Sequence, residues 1–502
     1  MNSYYLLPVF LTPLMCGCGS DSDNSTPTPN PDDSVPMLPI TPADPIIKEC
    51  AFQDTSAGYL VSSVSELESV LHTTANNGED DIIYIAAGTY SVTEPLTYDF
   101  STLNGEAMEK LSLYGCGADQ TIFDGGDITR VFNFYKNGPE IDAVSVHVGP
   151  HPQLHIQDLT IQNGNSLISG SDKYGNSGAA LHVQRYETDL VRVHLLNNLD
   201  IYEGSAMNGS GHTTLTEVVV TNNSGGTAIS VCGQLTVTDS VISDNDGGGV
   251  YRGICLDGNY AEYDVDIVRS NFDSNGTLGA LYVLGSTTPG RMTITDSVFS
   301  HNSSRSYGAA VGTRHGNLTI KGSQFIANEV IDDQMQCTDY TMDCQSGAAL
   351  FVDNWYPGGG LINIENTIFK DNVATDNGAA IDLGFYDCES DIIRGYSDYC
   401  VPTDYSTALQ NAITLTIADS IFSGNRSANG ANLSVSKTRL SSGFQSANVS
   451  ISHSTFTEDT GASSVIVRGD LVLTASHIEN TAIVNGELTQ DNTSSIGELV
   501  QP

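Results

Sequence analysis

The sequence predicts an all-β solenoid, in which short parallel strands stack coil upon coil along one axis. Three observations lead to this prediction. A motif of an apolar residue, two variable residues and Asn recurs along the chain; strands of strictly alternating polarity precede it, and a Gly-Ala-Ala-aliphatic segment follows it. Residues 295–312 (TDSVFSHNSSRSYGAAVG) contain all three features. Such self-similarity is typical of repeats that bury their apolar face only by stacking on a neighbour.

The motif recurs at intervals close to the length of one coil. Successive Asn residues are 25, 22, 30, 27, 26, 44 and 53 residues apart. The two long steps predict coils with loop insertions, at residues 329–346 and 384–411. The pairs of apolar residue and Asn are Leu195/Asn198, Val220/Asn223, Ile242/Asn245, Phe272/Asn275, Phe299/Asn302, Phe325/Asn328, Phe369/Asn372 and Phe422/Asn425.

Each repeat position has a predicted packing role. Phe299 and its equivalents are expected to point inward and to stack on one another down the axis. Asn302 and its equivalents are expected at a sharp turn, often in the left-handed conformation that Asn tolerates. Their amides are expected to hydrogen-bond from coil to coil. The Gly-Ala-Ala segment supplies small residues at a crowded corner, and we therefore assign none of these residues to chemistry.

The two ends of the array are predicted to differ. Val64, Leu67, Val70 and Leu71 have helical spacing, which predicts an N-terminal capping helix. The repeat motif weakens towards the C-terminus, where residues 486–502 are expected to form a loose tail. Five segments are predicted in all. They are a signal peptide at 1–18, a tether at 19–50, an N-terminal cap with the first coils at 51–130, the β-helix repeats at 131–485 and this tail at 486–502.

Composition narrows the classes of partner. The 502 residues include 19 Lys and Arg against 60 Asp and Glu, a formal net charge of −41. A chain this acidic is repelled by phosphate backbones, so we expect no nucleic-acid partner. Charged residues make up only 16% of the chain, which is not the profile of a disordered protein. We expect a monomer.

The N-terminus is typical of an exported protein. Its apolar stretch has the length of a signal peptide and is too short to span a bilayer as a helix. The ending LMCGCGSDSDNS is similar to a bacterial lipoprotein signal, with Cys18 as the acylated residue. The Pro/Ser/Asp-rich segment that follows is expected to be a solvated tether. The expected location is the outer membrane, the cell surface or the extracellular space; a plain cleaved secretory signal remains the alternative.

Eight further cysteines predict an oxidising compartment. None has the paired spacing of a zinc site, so no metal is assigned. Four disulfides form one plausible set among about 105 connectivities. The pairs in this set are Cys50–Cys116, Cys232–Cys255, Cys337–Cys344 and Cys388–Cys400.

Two known groups of proteins resemble this array. The opening DDIIYIAAGTY…LSLYGCGADQTIFDGG is similar to that of right-handed parallel β-helix proteins of the pectate-lyase-like superfamily. The Phe-x-x-Asn and Gly-Ala-Ala repeats resemble those of the chlamydial polymorphic outer-membrane proteins. The resemblance covers about residues 55–485 and implies a right-handed parallel β-helix with loop insertions.

The resemblance also implies where enzyme chemistry would lie. Hydrolases of this fold use Asp residues on adjacent coils, and lyases use a calcium-bound uronate with a basic residue. None of the catalytic motifs of those enzymes occurs in this sequence. The weak catalytic candidates are Asp353, Asp382, Arg314 and His315. Acid pairs such as Asp80-Asp81 could hold calcium but lack a calcium-loop motif, so we assign no cofactor and keep calcium as the alternative.

A lateral patch is the candidate binding site. Aligning the coils on Val311, Leu350 and Ile381 brings both insertions and the single Trp to one face. Aromatic side chains in a row suit sugar rings. The alternative is that the aromatics pack the loops and that Arg314 and Asp353 form a surface ion pair. The candidate ligand-binding residues are Asn354, Trp355, Phe385 and Tyr386.

Three functions compete on this evidence. The leading hypothesis is an envelope-anchored or secreted β-helix that binds a glycan or another surface ligand, as an adhesin or scaffold. The alternative is a polysaccharide lyase or glycoside hydrolase that acts on an extracellular polysaccharide. The third is a purely structural spacer. We expect contact with the membrane only through the lipid on Cys18.

Overall fold

The computed structural model describes the greater part of the chain after residue 51. The described residues are 52, 55–75, 77–99, 109–135, 152–167, 177–184, 186–201, 204–253, 264–284, 290–305, 308–313, 317–331, 347–353, 360–375, 377–384, 413–428, 430–435, 438–440, 443–445, 447–457 and 463–501. They form a parallel β-helix, as predicted: each coil contributes one strand to each of three parallel sheets, and every such strand pairs with its equivalent on the next coil.

Sheet 1 contains the alternating strands that open each coil. Its strands are Tyr59–Val61, Asp81–Ile85, Lys110–Tyr114, Thr213–Thr216, Leu235–Thr238, Val265–Val268, Met292–Thr295, Asn317–Lys321, Leu361–Glu365, Ile413–Ala418, Ala447–Ser452, Gly469–Thr474 and Leu488–Gln490. Two longer strands, Gln153–Gln162 and Glu187–Leu196, run through sheet 1 and continue into sheet 2.

Sheet 2 carries the apolar residue of the repeat. Its strands are Gly88–Ser91, Thr121–Asp124, Val219–Thr221, Val241–Ser243, Asn271–Asp273, Val298–Ser300, Gln324–Ile326, Ile368–Lys370, Ile421–Ser423 and Thr455–Thr457. The last two coils contribute His477–Val484 and Ser495–Val500, which run from sheet 2 into sheet 3.

Sheet 3 follows the Gly-Ala-Ala corner. Its strands are Leu96–Asp99, Phe132–Tyr135, Leu181–Gln184, Met207–Ser210, Ile229–Cys232, Val250–Gly253, Leu281–Val283, Val311–Thr313, Leu350–Asp353, Ile381–Gly384, Leu433–Val435 and Val465–Val467. Outside the three sheets, short pairs join Leu199–Asp200 to Ser224–Gly225 and Ser303–Ser304 to Glu329–Val330, and Thr438–Leu440 forms an antiparallel hairpin with Gly443–Gln445.

The predicted capping helix is present at Val64–Thr74. Ser63 caps its N-terminus, because its side-chain oxygen accepts a hydrogen bond from the Glu66 N–H over 3.3 Å. Leu67 and Leu71 are fully buried against the first coil. The helix therefore covers the apolar interior at this end of the solenoid.

The repeated aromatic residues form the predicted axial stack. Successive ring centroids from Phe272 to Phe456 are 4.6, 5.1, 4.9, 4.8 and 4.4 Å apart, and the ring planes lie within 7° of parallel. These distances follow the spacing of the strands, about 4.8 Å. All six rings, which are those of Phe272, Phe299, Phe325, Phe369, Phe422 and Phe456, are fully buried.

The predicted Asn ladder is confirmed. In each coil the side-chain amide donates to the side-chain oxygen of the next Asn, over 2.8–2.9 Å from Asn198 to Asn425. The ladder continues beyond the predicted set, through Asn432 to the Ser464 hydroxyl. These residues are almost fully buried, so their side-chain amides cannot hydrogen-bond to water. The ladder supplies the hydrogen-bond partners instead.

One detail of the predicted turn is wrong. The left-handed residue is not the ladder Asn but the residue before it, such as His301 before Asn302 with φ 53°. The backbone N–H and the side chain of the ladder Asn both point towards the next coil. The turn is therefore made by the residue before it, which is the one in the left-handed conformation. The equivalent left-handed residues are Asn197, Asn222, Asp244, Ser274, Ala327, Asp371 and Gly424.

A second ladder, of hydroxyls, lies at the turn between sheets 1 and 2. The N–H of Ser270 donates to Ser297 Oγ over 3.1 Å, and the hydroxyl of Ser270 donates to the Val268 carbonyl over 2.8 Å. Further members up to Ser476 follow the same pattern, and a left-handed residue again precedes each one; Ser494 accepts the last of these bonds. The sequence analysis missed this ladder, although Ser or Thr recurs two residues before the Phe position.

The predicted loose tail at 486–502 is wrong. Leu488–Gln490 pairs with Gly469–Thr474, and Ser495–Val500 pairs with His477–Val484. Asp491 holds the turn between the two, since its carboxylate accepts hydrogen bonds from the N–H groups of Ala475, Thr493 and Ser494. The weak repeat motif of this segment predicted no strands. The strands form nevertheless, because they pair through backbone hydrogen bonds and do not depend on the repeated side chains.

Candidate functional site

The register of the predicted lateral patch is confirmed, but most of its side chains lie outside the described residues. Val311, Leu350 and Ile381 are partners on neighbouring strands, and Asp353 faces Gly384. The side chain of Asp353 is not described, and neither are the candidates Arg314, His315, Asn354, Trp355, Phe385 and Tyr386. A glycan site at these residues remains a prediction.

Asp382 is the one candidate of this patch whose side chain is described. It pairs with Phe351 on the preceding coil, and its side chain is fully buried although it points to the outer side of sheet 3. A carboxyl group buried in this way does not reach a polysaccharide in solution. The structure therefore offers no support for Asp382 as a catalytic residue.

A different aromatic row lies on the outer face of sheet 1. Tyr84 and Tyr114 occupy the same register on neighbouring strands. On the third coil Gln157 takes that register, and His155, two residues before it on the same face, pairs with Ser112. Ile83, Ile85, Leu111 and Leu113 alternate with these residues and point into the core. Period-two alternation therefore directs the rings outward, where all of them are partly exposed. We call Phe52, Tyr84, Tyr114 and His155 the aromatic row.

The four rings are in contact with one another but do not share one column, since Phe52 precedes the first strand and His155 is two residues out of register with Tyr114. Phe52 and Tyr84 have centroids 4.9 Å apart, Tyr84 and Tyr114 are 5.7 Å apart, and Tyr114 and His155 are 5.3 Å apart. The Tyr84–Tyr114 separation exceeds the strand spacing of about 4.8 Å, so the two rings are offset and leave part of each face uncovered.

A chain of polar groups borders the row at its His155 end. His155 Nδ1 lies 2.8 Å from Asp189 Oδ2, and Nε2 lies 3.2 Å from Gln157 Oε1. The Gln157 amide donates to Asp158 over 2.7 Å, and Arg192 binds Asp158 through two hydrogen bonds of 2.6 and 2.8 Å. These contacts fix the orientation of His155 and place acceptors beside the rings.

The ion pair at the end of this chain changes the acidity of Asp158. Burial alone would raise the pKa of this carboxyl group, but hydrogen bonds from Arg192 and Gln157 outweigh it and hold the pKa below its ordinary value. Asp158 is therefore ionised at neutral pH, and its charge is matched by the guanidinium of Arg192.

The row is confined to the first coils. The next coil carries Asp189 and Val191 in the two outward columns that His155 and Gln157 occupy. The two coils after it carry hydroxyl residues there, namely Thr214, Thr216, Thr236 and Thr238. Threonine is an ordinary outward residue on a pleated surface, whereas a run of aromatic rings is not. The sequence signal was present, since Tyr is the fourth residue of DIIYI and the last of KLSLY, but only the register shows that the two meet.

Two other surface features lie further along the solenoid. Tyr251 and Tyr282 stack on sheet 3 with centroids 6.0 Å apart, and Gly312 leaves room for the Tyr282 ring on the next coil. A shallow groove of about 410 Å³ lies beside the Asn turns, where Asp244, Asp246 and Arg305 contribute to its walls.

Neither a metal centre nor a membrane helix is found in the described part of the chain. No three His, Cys, Asp or Glu side chains are grouped there as a metal site requires. No helix among the described residues is long and apolar enough to cross a bilayer. Cys116 and Cys232 each take part in a disulfide. Their predicted partners, Cys50 and Cys255, lie outside the described residues, as do Cys18, Cys337, Cys344, Cys388 and Cys400, so the predicted pairing and the acylation stay predictions.

The fold and its repeat define the class of protein: a right-handed parallel β-helix. Residues 158–325 match the family model described as a right handed beta helix region. No curated protein sequence matches the chain. The resemblance of the repeats to the chlamydial polymorphic outer-membrane proteins is not confirmed by these comparisons.

Solved structures with a similar course of the chain include enzymes that act on polysaccharides. The catalytic domain of a GH87 α-1,3-glucanase in complex with nigerose is 11% identical, with a TM-score of 0.41 and coverage of 89% of this chain and 70% of that one. The catalytic unit of a thermostable GH87 α-1,3-glucanase from Streptomyces thermodiastaticus is 13% identical, with a TM-score of 0.39 and coverage of 89% and 68%.

A mannuronic-acid-specific polysaccharide family 6 lyase from human gut microbiota is 11% identical, with a TM-score of 0.40 and coverage of 83% of this chain and 86% of that one. At these identities and TM-scores, the similarity says nothing about the chemistry of this chain.

Proposed function

We propose that this protein is an exported, envelope-anchored β-helix that binds a glycan on the outer face of sheet 1. The observation that carries the proposal is the aromatic row, four partly exposed rings that contact one another, of which Tyr84 and Tyr114 share one register on neighbouring coils. Sugar rings bury their C–H faces on aromatic side chains, and a group of partly exposed rings offers an apolar platform for them.

The surroundings of the row supply the polar half of such a site. A sugar held against Tyr114 or His155 has its hydroxyl groups close to Gln157 and Asp189, and the Asp189 side chain is 47% exposed. Carboxylate and amide groups accept hydrogen bonds from hydroxyls, and bonds to a charged acceptor are the stronger ones. Binding sites combine an apolar platform with a few placed polar groups in this manner.

The rigid backbone of the solenoid favours binding without rearrangement. Tyr84, Tyr114 and His155 lie on strands that pair on both sides within sheet 1. The side chains are thus ordered before a ligand arrives, which lowers the entropic cost of association. No described residue offers comparable support for lyase or hydrolase chemistry.

Binding is tested with the full-length mature protein and its Tyr114→Ala variant. Isothermal titration against a panel of soluble oligosaccharides should show a glycan whose affinity falls about tenfold or more in the variant. Tyr251→Ala is the matched control, because it removes an outward stacked tyrosine from sheet 3 instead of sheet 1, and it should bind as the wild type does. Equal binding by all three proteins would contradict the proposal.

The same incubations separate binding from catalysis. The glycan should be recovered intact, without new reducing ends and without the absorbance of unsaturated sugar ends. Release of either product would replace the binding function by the enzymatic alternative.

Anchoring rests on the lipoprotein-like sequence around Cys18. Cells grown with labelled fatty acid should carry label in the wild-type protein and not in Cys18→Ala, and the variant should leave the membrane fraction. Label that persists in the variant would rule out acylation at Cys18.

A further inference from the structure

The hydrogen bonds around His155 fix its protonation state. We infer that His155 is a proton switch of the binding face: while it carries two ring protons it holds Gln157 beside Tyr114, and loss of one proton to solvent releases Gln157. The switch itself is a property of the free protein. Its effect on ligand affinity rests on the proposed function and describes how that same site is regulated.

The ion pair beyond Gln157 sets the orientation of its amide. Burial raises the pKa of Asp158, but hydrogen bonds from Arg192 and Gln157 hold it below the ordinary value, so the carboxylate is ionised. An ionised carboxylate only accepts hydrogen bonds, so the amide nitrogen of Gln157, 2.7 Å from Asp158 Oδ2, must face it. The amide oxygen therefore points the other way, towards His155.

Both ring nitrogens of His155 then face acceptors. Nε2 lies 3.2 Å from Gln157 Oε1, and Nδ1 lies 2.8 Å from Asp189 Oδ2. A neutral imidazole has one N–H and one lone pair and can satisfy only one of these acceptors, whereas the imidazolium donates to both. The side chain of His155 is only 12% exposed, so water does not easily replace either partner. The geometry therefore selects the doubly protonated ring.

The other charged and titratable groups around the ring come from both neighbouring strands. On the following coil Asp189 pairs with His155, and Glu187 lies two residues before it on the same face. On the preceding coil Lys110 and Tyr114 flank the residue that pairs with His155, and the Tyr114 ring centroid is 5.3 Å away. Of these groups Asp189 bonds a ring nitrogen, which gives the imidazolium a charged acceptor within the sheet face.

Loss of a ring proton leaves Gln157 without a satisfactory orientation. The remaining proton stays on Nδ1, because the hydrogen bond to the charged Asp189 is the stronger one. Nε2 then presents a lone pair to Gln157 Oε1, and two acceptors oppose each other. A half-turn of the amide would repair this contact but would direct Oε1 at the carboxylate of Asp158. Gln157 therefore loses one of its two hydrogen bonds whichever way it turns.

Gln157 connects the switch to the aromatic row. It pairs with Tyr114 in sheet 1, so its amide borders that ring on the next coil. A sugar held on Tyr114 loses a fixed hydrogen-bonding partner when Gln157 is released. Affinity should therefore fall about fivefold, as for the loss of one hydrogen bond, between about pH 5 and about pH 8.

NMR of the full-length mature protein, with heavy nitrogen in the His rings and the Gln side chains, tests the switch without a ligand. His155→Gln and Gln157→Leu identify the two sets of signals. In acid both ring nitrogens of His155 should carry protons; above the titration the Nδ1–H tautomer should appear, and the Gln157 amide signals should move with the same midpoint. The Nε2–H tautomer, which free histidine prefers, or a Gln157 amide that does not respond would overturn the switch.

The effect on binding is measured by isothermal titration at both ends of this pH range. The probes are the neutral hexaoses of cellulose, laminarin, xylan and mannan, which have no titrating group of their own. The affinity of a bound probe should fall at the higher pH in wild type and should not depend on pH in His155→Gln. His301→Gln is the matched control: His301 bonds Asp273 over 3.0 Å but lies at the turn after sheet 2, so this variant should keep the wild-type pH profile.

The outcomes keep the two proposals apart. A probe that binds with the same affinity at both pH values, or a pH profile that persists in His155→Gln, would overturn the regulation by His155 and leave glycan binding intact. If the NMR titration shows the coupled change but no probe binds, the proposed function fails and the proton switch stands.

Discussion

Asn302 donates two hydrogen bonds to one oxygen of the next coil. Its side-chain Nδ2 and its backbone N–H lie 2.9 and 3.1 Å from Asn328 Oδ1. The remaining Nδ2 hydrogen is donated to the Phe272 carbonyl of the preceding coil over 2.9 Å. Each ladder Asn therefore connects three coils, while the Phe stack beside it fills the interior. The stability of the solenoid depends on these repeated contacts between neighbours.

Replacing a ladder amide should destabilise the protein. Asn302→Leu removes the side-chain bonds on both sides and leaves the N–H of Asn275 without its acceptor, so we expect a loss of about 1–3 kcal/mol in unfolding free energy. Asn271→Leu is the control, since Asn271 points outward in a column whose neighbours are Val241 and Val298, and it should cost little. Equal midpoints in chemical denaturation for Asn302→Leu and wild type would contradict the ladder.

Gly308 tests the crowded corner of the Gly-Ala-Ala segment. Its φ is 63°, and a Cβ atom there would lie 2.5 Å from the Gly312 Cα. Gly126 has a similar φ of 56° with open space around it, so Gly126→Ala should cost only the left-handed strain, about 1–2 kcal/mol. Gly308→Ala should lose about 1–3 kcal/mol more, because backbone must move to make room. Thermal unfolding of both variants checks this; equal losses would mean that the corner is not crowded.

The Asp158–Arg192 pair predicts a pH dependence. Because the folded state lowers the pKa of Asp158 below 3.8, the stability that it contributes is present above this value and is lost as the pH falls below it. Asp158→Asn should therefore melt below wild type at neutral pH, and the difference should shrink in acid.

Asp244→Asn is the matched control for this pH dependence. Asp158 and Asp244 are both left-handed turn residues, with φ 59° and 55°. No salt bridge of Asp244 occurs among the described residues, so Asp244→Asn should not reproduce the loss of stability that Asp158→Asn shows at neutral pH. If the difference in melting temperature between Asp158→Asn and wild type stays constant from neutral pH to pH 3, the ion pair is not the source of that difference.

The cysteines can be tested together. If the eight cysteines after Cys18 are paired, thiol titration of the denatured, unreduced mature protein should find almost no reactive thiol apart from an unblocked Cys18. Four or more thiols would indicate a reducing compartment and would exclude the predicted set of pairs.

The sequence by itself determined the coil. Three local signals are repeated many times: the recurring Phe and Asn, the alternating strands and the Gly-Ala-Ala corner. Each repeat predicts the same packing arrangement. The stack from Phe272, the Asn ladder and the capping helix were all predictable for this reason. The tail was not, because Ser495–Val500 joins the sheets through backbone hydrogen bonds that no side-chain motif marks.

Only the tertiary structure decided which outward residues meet. Tyr84 and Tyr114 are 30 positions apart in the chain, yet their ring centroids are 5.7 Å apart, because their strands are neighbours in sheet 1 and pair in register at these two residues. In the same way the buried state of Asp382 depends on what covers sheet 3 and not on its own strand, whose alternation directs it outward. Periodicity fixes which side of a strand a residue occupies, but exposure and neighbours depend on loops and registers that differ from coil to coil.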